Sequence, residues 1–116
     1  MTDLNTAIAL HKLNLRVYED IYVNYRNETI IKKRYLFTNE FNSGTEITLP
    51  DYEHDANLYM ALFEEMKSHC KRVDLGWKVD HYFCIAYDYA AVAHADTIGT
   101  AICLAFCKLK GIEVVG

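Results

Sequence analysis

The strongest hydrophobic pattern in the chain is an apolar stripe at helical spacing near the C-terminal end. The stripe consists of Ile98, Ala101, Ile102, Ala105, Phe106 and Leu109. This spacing predicts an amphipathic helix. The helix would begin at Asp96 and Thr97, whose side chains can accept hydrogen bonds from free amides. It would end at Gly111, which tolerates the left-handed conformation. Residues 90–95 are predicted to be a short loop.

The predicted helix is apolar around more of its circumference than one core face requires. Cys103, Leu104 and Cys107 lie outside the stripe, so a second side should also be buried. Two interpretations stay open: the second side contacts another subunit, or the N-terminal segment folds over it. A chain of 116 residues builds only a modest core. The first interpretation therefore predicts a homo-oligomer formed through the helix at residues 97–110.

Two further helices are predicted upstream. The stripe of the second helix consists of Tyr59, Leu62, Phe63 and Met66. Asp55 stands where a carboxylate can cap this helix. Residues 3–13 carry a shorter stripe of the same period, which predicts a first helix.

Alternating and β-branched residues predict the strands. Residues 15–25 and 29–38 favour two strands joined by a turn at Asn27 and Glu28, and residues 46–49 favour a short strand. The alternation over residues 76–88 is the cleanest and predicts one continuous strand. Its apolar face consists of Trp77, Val79, His81, Phe83, Ile85 and Tyr87. We expect this face to pack on a helix, with His81 as a hydrogen-bonded core or edge residue.

The composition is that of a folded, mildly acidic chain. Apolar residues make up 52% of it and it has one proline, so we expect a single globular domain over residues 1–116. The net charge of −4 argues against a general nucleic-acid binder. There is no apolar run of transmembrane length, and the first residues lack the pattern of a signal peptide. These features predict a cytoplasmic protein without membrane contact.

The cysteines do not form a metal-binding motif. They are Cys70, Cys84, Cys103 and Cys107. In a cytoplasmic protein we expect reduced, buried thiols. Cys103 and Cys107 lie four residues apart on one helix face, but there is no CxxC pair and no matching pair of histidines. Neither a metal site nor a cofactor is predicted.

Three segments resemble the phage ABA-sandwich domain family of small phage and prophage proteins. They are residues 50–66 (PDYEHDANLYMALFEEM), 81–89 (HYFCIAYDY) and 91–111 (AVAHADTIGTAICLAFCKLKG). The resemblance implies a phage origin and an α+β fold, with a small, largely antiparallel sheet and helices on both faces (an α/β/α sandwich). The family often has an arginine where this chain has Leu104, so no anion-binding side chain is expected at that position.

The resemblance leads us to expect a non-enzymatic protein that sequesters a nucleotide-type immune signal in the host bacterial cytoplasm. A cyclic ADP-ribose isomer or a cyclic oligonucleotide would be such a signal, and its capture would counter bacterial defence. Stacking on a base is assigned to Tyr52, Trp77 and Tyr89. Phosphate contacts are assigned to the free amides of Thr97, Ile98 and Gly99 and to the side chains of Lys108, Lys110 and Arg34. Ribose or base-edge contacts are assigned to His94 and Asp96. Each also has a structural interpretation as a core, cap or solvated residue.

Two other classes of function compete with this expectation. A phage protein-interaction module that inhibits a host protein fits the negative charge and the many tyrosines, because tyrosine is enriched at interfaces. An enzyme is the weakest hypothesis. His81, His94, Asp96 and Cys84 could serve chemistry, but they stand in no nucleophile elbow, phosphate loop or paired-carboxylate motif.

Overall fold

The fold is that of a computed structural model, which describes residues 3–13, 15–37, 45–87 and 91–114. The helices are α1 (Leu4–Lys12), α2 (Ala56–His69) and α3 (Ile98–Lys110). The strands are β1 (Leu15–Val23), β2 (Thr29–Phe37), β3 (Thr45–Glu46), β4 (Val73–Lys78), β5 (His81–Ala86) and β6 (Ala91–Ala95). The predicted α+β class is confirmed. In the part of the chain that is described, no helix has the length and apolar character needed to cross a membrane.

The described strands form two antiparallel sheets, where one sheet was expected. Their strand orders are β1-β2-β3 and β4-β5-β6. The chain also groups into two compact units, residues 1–8 with 50–116 and residues 9–49. The sheet β4–β6 belongs with α2 and α3 to the first unit, and β1–β3 belongs to the second. The antiparallel pairing is as expected, and the single domain stays a prediction.

The second unit is dominated by the β1–β2 hairpin, whose position the sequence predicted. Nine consecutive residue pairs join the two strands, from Leu15 opposite Phe37 to Val23 opposite Thr29. Asn27 makes the turn with a positive φ of 63°, a conformation that asparagine tolerates better than most residues. The strand predicted at residues 46–49 overlaps β3 only at Glu46, because β3 is limited to Thr45–Glu46.

The ends of the two long helices follow from local chemistry. Asp55 caps α2 by accepting a hydrogen bond from the Asn57 amide, as predicted. Gly111 ends α3 in the left-handed conformation, at φ 71°. The N-cap of α3 is Thr97, whose side chain accepts from the Thr100 amide. Of the two residues predicted to begin the helix, Thr97 is the N-cap, and Asp96 lies one residue before it.

The prediction of one continuous strand over residues 76–88 is wrong. β4 ends at Lys78, Val79 and Asp80 form a two-residue turn, and β5 begins at His81. The turn places Trp77 opposite Tyr82 and Lys78 opposite His81. The expected apolar face is therefore divided, with Trp77 on one side of the sheet and His81 and Phe83 on the other. The alternation continues through the turn, which contains neither glycine nor asparagine, so the pattern does not reveal it.

The predicted loop before α3 is also corrected, because residues 91–95 form β6. This strand pairs with β5, with Ala93 opposite Cys84 and Ala91 opposite Ala86. All four of these residues are buried. Their small side chains allow a helix to approach the sheet closely, and α3 packs against both β5 and β6.

The surplus apolar surface of α3 is covered within its own unit. α2 packs on α3 in addition to the two strands. Phe106, Ile102 and Cys103 are fully buried, and Cys107 is 1% exposed. A second subunit is thus not needed to bury the side of α3 that lies outside the stripe. Self-association through residues 97–110 stays a prediction, but the surplus apolar surface of α3 no longer supports it.

Gly99→Ala tests how closely α3 approaches the turn before α2. A Cβ atom at Gly99 would stand 1.9 Å from the Glu53 carbonyl oxygen and 2.7 Å from Cδ2 of Tyr59. Alanine in place of glycine normally stabilises a helix by about 1 kcal/mol. Because the backbone of residue 53 must move, we expect a net loss of roughly 1–3 kcal/mol in the free energy of unfolding.

Chemical denaturation of Gly99→Ala and of Gly111→Ala measures this effect with a control. Gly111 has open space around its Cβ position, so its substitution costs about 1 kcal/mol through its positive φ alone. A Gly99→Ala protein as stable as the wild type would show that the contact with Glu53 is absent.

Candidate functional site

The sheet β4–β6 has two chemically different faces. Its covered face carries the buried residues Cys84, Ala86, Ala91 and Ala93, which lie toward α3. We call the opposite side the outer face. It consists of Asp74, Gly76, Lys78, His81, Phe83, Ile85, Val92 and His94. Lys78, Val92 and His94 are exposed and the other outer-face residues are half-buried. The outer face therefore combines apolar, aromatic and titratable side chains that can reach solvent.

Two histidine rings meet on the outer face. The ring centroids of His81 and His94 are 5.0 Å apart, and the ring of Phe83 lies 6.4 Å from that of His94. His81 Nδ1 is 2.6 Å from Oδ1 of Asp80 in the preceding turn. This contact lowers the pKa of Asp80 by hydrogen bonding and by charge, so the carboxylate is ionised at neutral pH.

The ring of Phe83 lies close to the Lys78 ammonium and to Gly76. The Lys78 ammonium stands 5.6 Å from the centroid of the Phe83 ring, within cation–π range. Directly opposite Phe83 on β4 is Gly76, where a Cβ atom would lie 2.3 Å from the ring. The missing side chain lets the ring lie across the neighbouring strand. A flat aromatic surface beside a cation is a suitable platform for a planar, anionic group.

A closed polar cluster occupies the β4 edge, at the opposite end from the histidines. Arg72 donates to both carboxylate oxygens of Asp74, at 3.2 and 2.9 Å. The Tyr87 hydroxyl donates to the same carboxylate at 2.8 Å, and the guanidinium lies 4.6 Å from the Tyr87 ring centroid. These hydrogen bonds, from Arg72 first, lower the pKa of Asp74. The cluster satisfies its own charges and fixes the end of the sheet.

A second surface of interest lies on the β1–β2 hairpin. Ile21 and Ile31 are directly opposite each other, and Val23 lies two residues along on the same face. Their exposed fractions are 65%, 58% and 60%. We call this face, with Val17, Glu19 and Lys33, the arm face. The Glu19 and Lys33 side chains form an ion pair at 3.9 Å within it.

The structure separates the residues that the sequence assigned to base stacking. Tyr52 is a core residue, 6% exposed, and its burial raises the pKa of its hydroxyl. It has no ring face free for a ligand. Trp77 is 67% exposed at the end of β4, on the side of the sheet opposite to His94. Tyr89 lies outside the described residues.

The residues assigned to phosphate and ribose are also dispersed. Thr97 caps α3, and the Glu53 carbonyl lies against Gly99 in the first turn, so part of the helix N-terminus is already covered. Lys108 donates to the Val92 carbonyl. Arg34 belongs to the other unit, where its Nε lies 2.9 Å from Oδ2 of Asp20. Asp96 and His94 are exposed.

The set of residues considered for an enzyme does not come together either. Cys84 is on the covered face, and burial raises the pKa of its thiol to about 12. His81 and His94 are on the outer face, so the thiol is not available to them. Cys103 and Cys107 have pKa values raised to about 12 and about 11, also mainly by burial. These cysteines behave as small apolar core residues.

The sequence did not indicate Phe83 and Lys78 as a pair, or the arm face. Phe83 had been assigned to a helix-packed face, and its exposure depends on the turn at Val79 and Asp80. The arm face has a partial signal on β1, where Ile21 and Val23 alternate with Asp20 and Tyr22; on β2 the adjacent Ile30 and Ile31 interrupt the alternation.

Tyr87→Phe tests the cluster around Asp74 through its pH dependence. The folded pKa of Asp74 lies below its unfolded value. The stabilisation it supplies is therefore complete above the unfolded pKa and is lost as the pH falls through the folded pKa. Loss of the tyrosine hydroxyl should move the folded pKa of Asp74 upward, toward the ordinary range.

Carboxyl-carbon NMR titration of Asp74 measures that shift, and Tyr25→Phe, in the other unit, serves as control. The stability difference between wild type and Tyr87→Phe should be largest at neutral pH and shrink in acid. An Asp74 titration unchanged by Tyr87→Phe would mean that the hydroxyl does not bind the carboxylate in solution.

Comparison with known proteins finds no relative: no family model, no curated protein and no solved structure matches the chain.

Proposed function

We propose that this chain is a non-enzymatic binding protein that uses its arm face to dock on a protein partner. The observation that carries the proposal is the exposure of three β-branched side chains in register, Ile21, Val23 and Ile31. Contiguous exposed apolar patches on a small protein are typical of interaction sites. In the phage setting implied by the sequence resemblance, the partner would be a host protein whose activity is blocked.

The geometry of the hairpin supports this proposal. A two-stranded ribbon is only marginally stable in water, and covering one face adds to its stability. Each large aliphatic side chain that becomes fully buried contributes about 1.5–3 kcal/mol. Glu19 and Lys33 are already paired with each other, so the arm face is close to neutral. The complementary partner surface is therefore apolar and carries little net charge.

Ile21→Thr and Tyr22→Thr provide a matched test. The two residues are neighbours on β1 and are 65% and 50% exposed, but they lie on opposite faces of the ribbon. Threonine keeps the β-branched shape of isoleucine and removes its apolar end. We expect Ile21→Thr to weaken partner binding roughly 10- to 100-fold, since the lost burial energy corresponds to that ratio. Tyr22→Thr should bind as the wild type does.

Native mass spectrometry of protein captured from host lysate gives the readout. Wild type should carry one partner protein in stoichiometric amount, and melting curves should show that both variants remain folded. Equal retention of that partner by Ile21→Thr, or equal loss from both variants, would contradict docking through the arm face.

A nucleotide-type ligand is the second candidate, favoured by the platform of Phe83, Lys78 and His94. The ring can stack on a base, and the ammonium can face a phosphate. The sequence resemblance supplies the ligand class, a cyclic ADP-ribose isomer or a cyclic oligonucleotide. The same mass spectra separate the two candidates, because a retained small molecule without a partner protein favours the nucleotide.

A further inference from the structure

The outer face brings two histidines from different strands into the spacing of a chelating pair. His94 lies opposite Phe83, two residues along β5 from His81, so the two histidines are diagonal neighbours across β5 and β6. Their rings are tilted by 59°, with centroids 5.0 Å apart. His94 is exposed and His81 is half-buried, so an ion from solvent can reach the pair.

Asp80 determines which nitrogen of His81 is free. A carboxylate accepts hydrogen bonds and does not donate them when ionised. His81 Nδ1, 2.6 Å from Asp80 Oδ1, therefore carries the proton. In the neutral imidazole the Nε2 atom is then left with its lone pair. Histidines that bind metals commonly donate their other nitrogen to a carboxylate in this way, which fixes the ring and raises its basicity.

The distance between the two ring centroids permits a shared metal ion. A metal lies about 2.1 Å from an imidazole nitrogen, and hence roughly 3.2 Å from the ring centroid. Two such rings at angles between about 90° and 110° around one ion would have centroids roughly 4.5–5.3 Å apart. The observed 5.0 Å falls within this interval.

We propose that His81 and His94 together bind one divalent transition-metal ion, with Asp80 orienting His81. Imidazole ligands suit Zn²⁺, Cu²⁺ and Ni²⁺ better than the harder Mg²⁺ or Ca²⁺. Among the described residues, no group of three or more His, Cys, Asp or Glu side chains is arranged to hold a metal. The pair thus fills two coordination positions and leaves the others to water or an exchangeable ligand. This inference rests on neither proposed function, and it shares His94 with the platform of the second.

The charges near the pair set its expected strength. Lys78 stands directly opposite His81 and disfavours a cation, while Asp80 favours one. The buried thiol of Cys84 is on the covered face and does not contribute. Two imidazole ligands, with one cation and one carboxylate nearby, predict a moderate affinity for the metal ion. Lys78→Gln should strengthen binding.

Calorimetric titration of the untagged chain with Zn²⁺ or Ni²⁺ at about pH 7.5 tests the proposal, because a metal ion binds only imidazole nitrogens that carry no proton. Wild type should bind one ion. His94→Ala should weaken binding at least about 10-fold, and Asp80→Asn roughly 10-fold by releasing His81. Binding should also weaken as the pH falls, because protons compete with the metal ion for imidazole nitrogens.

His54→Ala is the matched control. His54 also has a carboxylate partner, with its Nδ1 2.9 Å from Oδ2 of Asp51, and no second histidine ring is paired with it among the described residues. Its substitution should leave metal affinity unchanged. His94→Gln provides a second variant if alanine perturbs the fold, and melting curves without metal check both. Wild-type affinity in the His94 variants, loss of binding in His54→Ala, or no saturable binding would overturn the proposal.

Discussion

The close contact between α3 and the small residues of β5 and β6 is the interaction on which the larger unit depends. Cys84, Ala86, Ala91 and Ala93 present a nearly flat surface to a helix whose own large side chains, such as Phe106 and Ile102, are fully buried. α2 packs on the same helix, and the Tyr52–Glu53 turn lies against its first turn at Gly99. An apolar circumference that could have indicated a subunit interface is explained by a core that surrounds the helix on more than one side.

This core also decides where chemistry can occur. In a strand, successive side chains lie on opposite faces, so Cys84 is buried and inert while Phe83 and His81 are directed to the outer face. The polar cluster of Arg72, Asp74 and Tyr87 fixes one end of that face, and the histidines occupy the other. In the second unit, the hairpin leaves apolar side chains exposed that the core of the chain does not use. The proposed binding surfaces are thus the parts of both sheets that folding leaves partly uncovered.

The sequence predicted what local chemistry determines. The cap at Asp55, the stop at Gly111 and the hairpin turn near Asn27 each depend on a few neighbouring atoms. The turn at Val79 and Asp80 was not predictable, because Asp80 is followed by no glycine that would give a strong hairpin signal and the alternation continues through both residues. The sequence predicts a loop at β6 because alanine, which makes up most of that strand, favours strands weakly.

The candidate site was less predictable than the fold, since it depends on strand register. The approach of His81 to His94 follows from the β5–β6 pairing, which no spacing in the chain encodes. Tyr52 was chosen for its aromatic ring, but its burial is a tertiary property. The arm face is signalled in the sequence only by the alternation of Ile21 and Val23 with polar and aromatic residues on β1. Its exposure could be learned only from the structure.

Site-resolved labelling of Cys103 and Cys107 with a thiol reagent tests most directly whether the chain itself covers α3. Both thiols are buried, and burial raises their pKa values to about 12 and about 11. The structure predicts that both react slowly in the folded protein, that dilution does not change the rate, and that labelling accelerates only with global unfolding. Rapid labelling at every concentration would show that the two thiols are not covered, and protection that disappears on dilution would show that a second subunit covers them; either result would contradict coverage of α3 by the chain itself.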